Sequence, residues 1–334
     1  MLKALLGFKN ILLVIFGLML IVLILSLGKA YDRSELAYGV TFSVKQARNL
    51  GLDWQKAYLS IMDDLGVKRL RLSAYWDEVE PQPDQYVWSD LDWQVTEAKM
   101  RDASIILAVG GRLPRWPECH FPAWANDLSK EQREAKQLGY LRASVERYRG
   151  VEKIIAWQVE NEPFLNQFGE CPTLDPSFLD QEIALVKSLD NRPVIITDSG
   201  ELSVWIPAAK RADIFGTTMY RDTYSRWLKS YIHYPITPAF FRFKQRVTGW
   251  FAKPEDWIVI ELAAEPWGPT SYKEMTQEEK DRTMSLAKFK EIVEFSRQAG
   301  YRTFYLWGAE WWYWEKEMKA QPAYWEYAKT LFRK

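Results

Sequence analysis

Eight short apolar runs, separated by longer amphipathic stretches, constrain the fold of this chain more than any other feature. They are Ala37 to Ser43, Arg69 to Ala74, Ile105 to Gly110, Ile154 to Glu160, Val194 to Asp198, Ile214 to Tyr220, Ile258 to Glu261 and Thr303 to Trp307. Strand-sized runs alternating with helical ones predict a parallel sheet in an α/β protein. The intervening segments carry helix signals, such as the capping box Thr276-Gln277-Glu278-Glu279 opening the run toward Gly300. Eight units, rather than five or six, predict closure into a (β/α)8 barrel, and no Gly-x-Gly-x-x-Gly follows the first run to suggest a dinucleotide. A barrel of about 250 residues with loop insertions uses nearly all of the 334. One domain is therefore expected over residues 31–334, with no internal repeat, no low-complexity tract and no linker beyond residues 29–35.

Residues 1–30 read as a separate N-terminal segment. Ile11 to Leu27 is uncharged and almost wholly apolar, preceded by Lys3 and Lys9 and followed by Lys29. It exceeds the roughly 7–15 residues of a signal-peptide core and only just reaches the roughly 17–25 of a spanning helix. Both readings stand, with Gly28-Lys29-Ala30 as a poor cleavage site. The favoured one is an uncleaved single-pass transmembrane helix, its lysines in the cytoplasm and the domain of residues 31–334 outside, as positive charge on the inner side directs. Cleavage would instead give a secreted protein. In an exported domain the two cysteines, Cys119 and Cys171, are candidates for a disulfide, since each lies in a loop following an expected strand; two unpaired thiols are the alternative.

The composition narrows the chemistry. Lys and Arg together number 44, Asp and Glu 44, and no basic block occurs in the body of the chain, which excludes an electrostatic footprint for nucleic acid. No His-Glu-x-x-His, Gly-x-Ser-x-Gly or phosphate loop is present, and with only two histidines, His120 and His233, neither a histidine-rich metal site nor a histidine triad is expected. No cofactor is implied. Carboxylates and aromatics remain, including 17 tryptophans and 17 tyrosines. Sugars have apolar faces and hydroxyl rims, so such side chains suit carbohydrate, although most of the aromatics are expected in the core. The fourth run ends in Asn161-Glu162-Pro163 and the seventh in Glu261. Two carboxylates at the carboxyl ends of separate barrel strands are what cleavage of a glycosidic bond requires.

With these residues in view, positions 36 to 334 resemble clan A of the glycoside hydrolases, which contains cellulases, mannanases, xylosidases and β-galactosidases. The resemblance implies that Glu162 is the general acid/base, that Asn161 binds the sugar 2-hydroxyl and that Glu261 is the nucleophile. Arg71, Trp76, Glu80-Pro81, Tyr86, Trp88 and Asp92 resemble the clan's second unit, in which the arginine supports the nucleophile. Tyr220 resembles the tyrosine that touches the nucleophile, and Trp307 the tryptophan that floors the sugar site. Trp76, Trp267 and Trp311 are divided between sugar platform and core. The pattern departs from the clan where its histidines after the third and sixth strands are replaced by Gly110-Gly111-Arg112 and Tyr220-Arg221, and where its turn glycine is Asp84.

Rival assignments accompany each carboxylate. Glu160 shares strand parity with Glu162 and points inward on that count, with an ion pair to an interior arginine such as Arg71 as its expected task. Glu265 competes with Glu261 but lies beyond the strand, where with Pro266-Trp267 it would shape a subsite. The aromatic- and arginine-rich segment from Arg221 to Pro235 is either a lid or a packed loop over the barrel top. The expectation that follows is a monomeric, membrane-tethered retaining glycosidase acting on a β-linked oligo- or polysaccharide. Its two carboxyls would lie about 5–5.5 Å apart, against roughly 6.5–9.5 Å for inversion. The alternatives are a carbohydrate-binding barrel without turnover, and a transglycosylase using the same two glutamates.

Overall fold

The computed structural model describes residues 2–28 and 30–332, with side chains from residue 13 onward. Its strands are β1 Ala37–Thr41, β2 Arg69–Ser73, β3 Ser104–Val109, β4 Ile154–Val159, β5 Val194–Asp198, β6 Ile214–Met219, β7 Asp222–Ser225, β8 Ser230–His233, β9 Asp256–Ala263 and β10 Thr303–Trp307. Eight of them close a parallel barrel in the order β1-β2-β3-β4-β5-β6-β9-β10, each expected run falling on one barrel strand. The segment Arg221 to Pro235 is neither an irregular loop nor part of the barrel, because β7 and β8 pair in it as an antiparallel hairpin.

Two apolar layers follow from strand alternation. Ile106, Ala156, Ile195, Ile258, Ile260 and Tyr305 fill the barrel interior, while Leu70, Leu72, Leu107 and Trp157 join the layer shared with the surrounding helices. Gly39 makes room for Tyr305, since a Cβ there would lie 2.8 Å from the Tyr305 ring and 2.6 Å from the Arg69 carbonyl oxygen. The capping box at Thr276 forms, its hydroxyl accepting from the Glu279 amide at 3.2 Å.

Parity fails in two instructive places. On β9, Thr217 of β6 faces Val259 and Thr218 faces Glu261, so Ile260 is skipped; β10 slips at the same level. This bulge turns Glu261 inward beside Ile260, although neighbours on a regular strand face opposite ways. At the end of β4, Glu160 takes φ +57, which turns Asn161 toward the barrel axis and Glu160 toward the loop after β3.

The N-terminal helix runs from Leu2 to Ser26. Its last carbonyls are not left open: Arg242 Nε donates to Ser26 O at 2.7 Å, and Arg246 donates to Ile24 O at 2.9 Å and Leu25 O at 2.7 Å. Among the described residues no helix is long and apolar enough to cross a membrane, so the expected spanning helix is not found. The side chains of Lys3 and Lys9, and all of Lys29 in the cleavage-site candidate, lie outside the described residues.

Cys119 and Cys171 form a disulfide with Cα atoms 5.3 Å apart, tying the loop after β3 to the loop after β4. Replacing both cysteines by serine should lower the unfolding free energy by about 4 kcal/mol, from the chain entropy of a loop with sequence separation 52. The loss would be read as a lower urea midpoint at constant slope; an unshifted midpoint would show that the bridge contributes nothing.

Candidate active site

The site is built at the carboxyl ends of the barrel strands around one buried cation. The Arg71 guanidinium, fully buried, donates through Nε to Gln158 at 2.7 Å, through one terminal nitrogen to Glu261 Oε1 at 2.7 Å and through the other to Asn161 Oδ1 at 2.7 Å. Glu261 Oε2 accepts from the Tyr220 hydroxyl at 3.0 Å. Burial and the nearby carboxyls of Glu261 and Glu162 push the Tyr220 phenol well above its usual range, so it stays protonated as a donor.

Glu162 stands opposite this clamp, its backbone N–H donating to the Thr197 hydroxyl at 2.8 Å. Its carboxyl is held well above the ordinary glutamate range by burial first, then by Glu261 and Glu118, against which Arg112 works in the other direction. One carboxyl kept neutral and a second paired with a guanidinium is the division that acid catalysis combined with nucleophilic attack requires.

Glu160 takes no part in this clamp and does not pair with Arg71. It accepts from the backbone amides of Gly111 and Arg112, each at 2.7 Å, and from Gln137 Nε2 at 2.7 Å. Gln137 also donates to Glu182 at 2.6 Å, so Glu160 ends in a buried network that fastens β4 to the loop after β3. Gly110, at φ +134, belongs to that contact because a Cβ there would lie 2.5 Å from Glu160 Oε1. Glu265 heads a separate network: it pairs with Arg115, accepts from Trp307 Nε1 at 2.7 Å and from the Tyr272 hydroxyl at 3.2 Å. Arg115 also donates to Glu310 at 2.9 Å and lies over the Trp307 ring, 4.1 Å from its centroid, so one face of the expected sugar floor carries a guanidinium.

The remaining tryptophans divide. Trp76 is buried in the core, stacked on Tyr140 and donating to Glu80 at 2.8 Å. Trp311 is likewise enclosed, donating to Glu315 at 3.0 Å and packed on Tyr324, so neither can be a platform. Trp267 is half-buried, meets the Tyr220 ring edge-on at 5.4 Å and leaves its indole N–H without a partner among the described residues. Asp84, where a turn glycine was expected, takes the left-handed conformation a glycine would supply, at φ +61.

Three acidic groups were not anticipated. Glu118 accepts from Asn161 Nδ2 at 2.9 Å, and burial raises its carboxyl to about 7 despite the opposing charge of Arg112. Asp198, the last residue of β5, is raised to about 6 by burial, and its Oδ2 has no partner among the described residues. Glu201 accepts from the Tyr220 amide at 2.8 Å. Asp198 could have been found from its strand-end position; Glu118 had only its neighbour Cys119 as a signal. No group of histidine, cysteine and carboxylate side chains suited to a metal occurs among the described residues.

No protein-family model matches the chain, and no curated protein matches it. Solved structures do. The exo-β-1,4-mannosidase Op5Man5 from Opitutaceae bacterium strain TAV5 is 16% identical, with a TM-score of 0.56 over 81% of this chain and 51% of that one, so the chain spans about half its length. Native xylanase 10B from Thermotoga maritima is 15% identical, with a TM-score of 0.54 over 90% of this chain and 95% of that one. GH5_18 from Bifidobacterium longum subsp. longum ATCC 55813 is 13% identical, with a TM-score of 0.58 over 82% and 69%. At such identities the likeness establishes a shared barrel fold and leaves chemistry to the site itself.

Arg71→Met should cost about 3–5 kcal/mol in urea unfolding, because it strands a buried carboxylate. Adding Glu261→Gln removes that stranded charge, so the double variant should lose less than the sum of the singles; strictly additive losses would refute direct charge pairing.

Proposed function

We propose that the protein is a retaining glycosidase. The observation that carries this reading is the pairing of Glu261, clamped by Arg71 and Tyr220, with a buried Glu162 whose carboxyl burial and the neighbouring Glu261 push well above the ordinary glutamate range. In the first step Glu162 gives that proton to the leaving glycosidic oxygen while a Glu261 oxygen attacks the anomeric carbon, the C–O bond to the aglycone breaks and a glycosyl ester forms. In the second, the Glu162 carboxylate takes a proton from water, whose oxygen attacks the same carbon and releases Glu261. Arg71 and Tyr220 offset the charge that Glu261 regains in that step.

The names of the structural neighbours, an exo-β-1,4-mannosidase and xylanases, support β-linked glycans as the first substrates to try. We place the domain outside the cytoplasm, a reading supported by the Cys119–Cys171 disulfide, since such bonds persist in oxidising compartments.

The full chain should release reducing sugar from at least one of a panel of β-glucans, mannans, xylans and galactans, and Glu261→Ala should abolish the release; activity surviving that substitution would exclude Glu261 as nucleophile. Proton NMR of the first-formed product should show the substrate's own anomeric configuration. An inverted product would sink the double displacement.

The pH profile has a definite sign. The acid form of Glu162 is needed, so activity should fall as pH rises through its raised value, above the ordinary glutamate range. Glu162→Gln should lose about 10²- to 10⁴-fold on substrates with poor leaving groups, lose much less on activated aryl glycosides, and lack that basic limb. A limb that persists in the variant would assign it to another group.

A further inference from the structure

The loop between β3 and the helix Lys130–Tyr148 holds a glutamate in a position that folding alone does not favour. Glu118 sits at φ +75, a conformation few side-chain-bearing residues adopt, and Arg115 in the same loop is at φ +93. Several contacts hold it there. The neighbouring Cys119 is bonded to Cys171; the Glu118 amide donates to Arg115 O at 2.7 Å and its carbonyl accepts from Leu113 at 2.8 Å. Gly169, at φ +85, packs against it so closely that a Cβ there would lie 2.8 Å from the Glu118 Cβ. Strain maintained by this many restraints marks a side chain whose placement is used.

What it is aimed at is the nucleophile's neighbour. One Arg71 guanidinium holds both Glu261 and Asn161, so the Asn161 amide is fixed beside the attacking carboxylate. Asn161 Oδ1 is taken by Arg71 and Gln158 Nε2, at 2.7 and 3.2 Å, and Nδ2 spends one hydrogen on Glu118 Oε2 at 2.9 Å. Glu118 Oε1 has no hydrogen-bond partner among the described residues. A reacting carbon must come within about 3–3.5 Å of a Glu261 oxygen. The Asn161–Glu118 pair, tied to Glu261 through Arg71, would offer a substituent on the adjacent ring carbon one free N–H and one free carboxyl oxygen.

Resting on the glycosidase reading above, we propose that Glu118 is a specificity-determining substrate contact: with Asn161 it binds the hydroxyl on the sugar carbon next to the reacting one, accepting that hydroxyl's proton in a hydrogen bond. A group that can both donate and accept satisfies the pair. A substituent that only accepts, or none at all, leaves the Glu118 oxygen buried without its bond.

The test uses the full chain, aryl β-glycosides of glucose, mannose, xylose and galactose, and the 2-deoxy counterpart of each, in wild type, Glu118→Gln and Glu118→Asp. On a glycoside that wild type hydrolyses, assayed above pH 7 where the Glu118 carboxyl is ionised, Glu118→Gln should lower kcat/KM about 10- to 100-fold, the worth of a hydrogen bond to a charged group. On the 2-deoxy counterpart it should change kcat/KM by about threefold or less. Glu118→Asp, which retains the charge but withdraws it, should fall between, and it carries the comparison should Glu118→Gln unfold. Equal losses on both substrates would overturn the contact while leaving the glycosidase intact. Failure of wild type to hydrolyse any of the glycosides would overturn the glycosidase reading and this proposal with it.

Discussion

Everything at the mouth of this barrel depends on one buried guanidinium. Arg71 has no access to water, and a cation so placed is tolerated only when each of its donors is met. Its planar fork reaches Glu261 on β9, Asn161 just past β4 and Gln158 within β4, so a single side chain from β2 sets the separation of elements nearly two hundred residues apart in sequence. A lysine would offer a point charge instead of three directed donors, and the register among those groups would be lost. Glu261 faces the guanidinium, whereas Glu162 faces mainly other acids and an apolar surround, so the two glutamates separate in character although both are buried.

A second arginine repeats the logic on the other side of the opening. Arg115 ties Glu265 and Glu310 together and covers one face of Trp307. That guanidinium leaves only part of the indole open to any further stacking. With Gly111, Arg112, Arg115, Glu118 and Cys119 all bonded to other elements, the loop after β3 supplies many of the contacts at the barrel mouth, at the place where the chain departs from the histidines of the clan it resembles. Binding groups carried on a loop held by a rigid scaffold are the common arrangement in barrels.

The barrel itself was legible because hydrophobic runs of strand length, alternating with helical segments, report directly on burial. Glu162 and Glu261 stood out because they end such runs, the clan resemblance added Arg71, Asn161 and Tyr220, and the structure brings Arg71, Asn161, Tyr220 and Glu261 into direct contact. What could not be read was anything decided by a departure from regular backbone. Parity alone would send Glu261 outward among the helices, and only the bulge at Ile260 turns it in; parity also pointed Glu160 inward, and its left-handed φ turns it away. Glu118 was hidden because its position is set by a disulfide, a bridge between Arg112 and Cys119, and Gly169, all contacts across loops. Trp76 and Trp311 carried no local mark separating a platform from core filling. The hairpin β7–β8 escaped because Trp227, 89% exposed at its tip, and its neighbours lack an apolar face of strand period.

Glu118, Glu160 and Glu162 all occupy the left-handed region, at φ +75, +57 and +43. Each such residue costs of the order of 1–3 kcal/mol that the rest of the fold must offset. In a lineage under selection only for persistence of the barrel, glycine would therefore be favoured at all three positions, and drift would erase the carboxylates within a recognisable scaffold. Their joint presence in one chain means that the contacts binding the loops after β3 and β4 to the barrel offset three such costs at once, within one small region of the molecule.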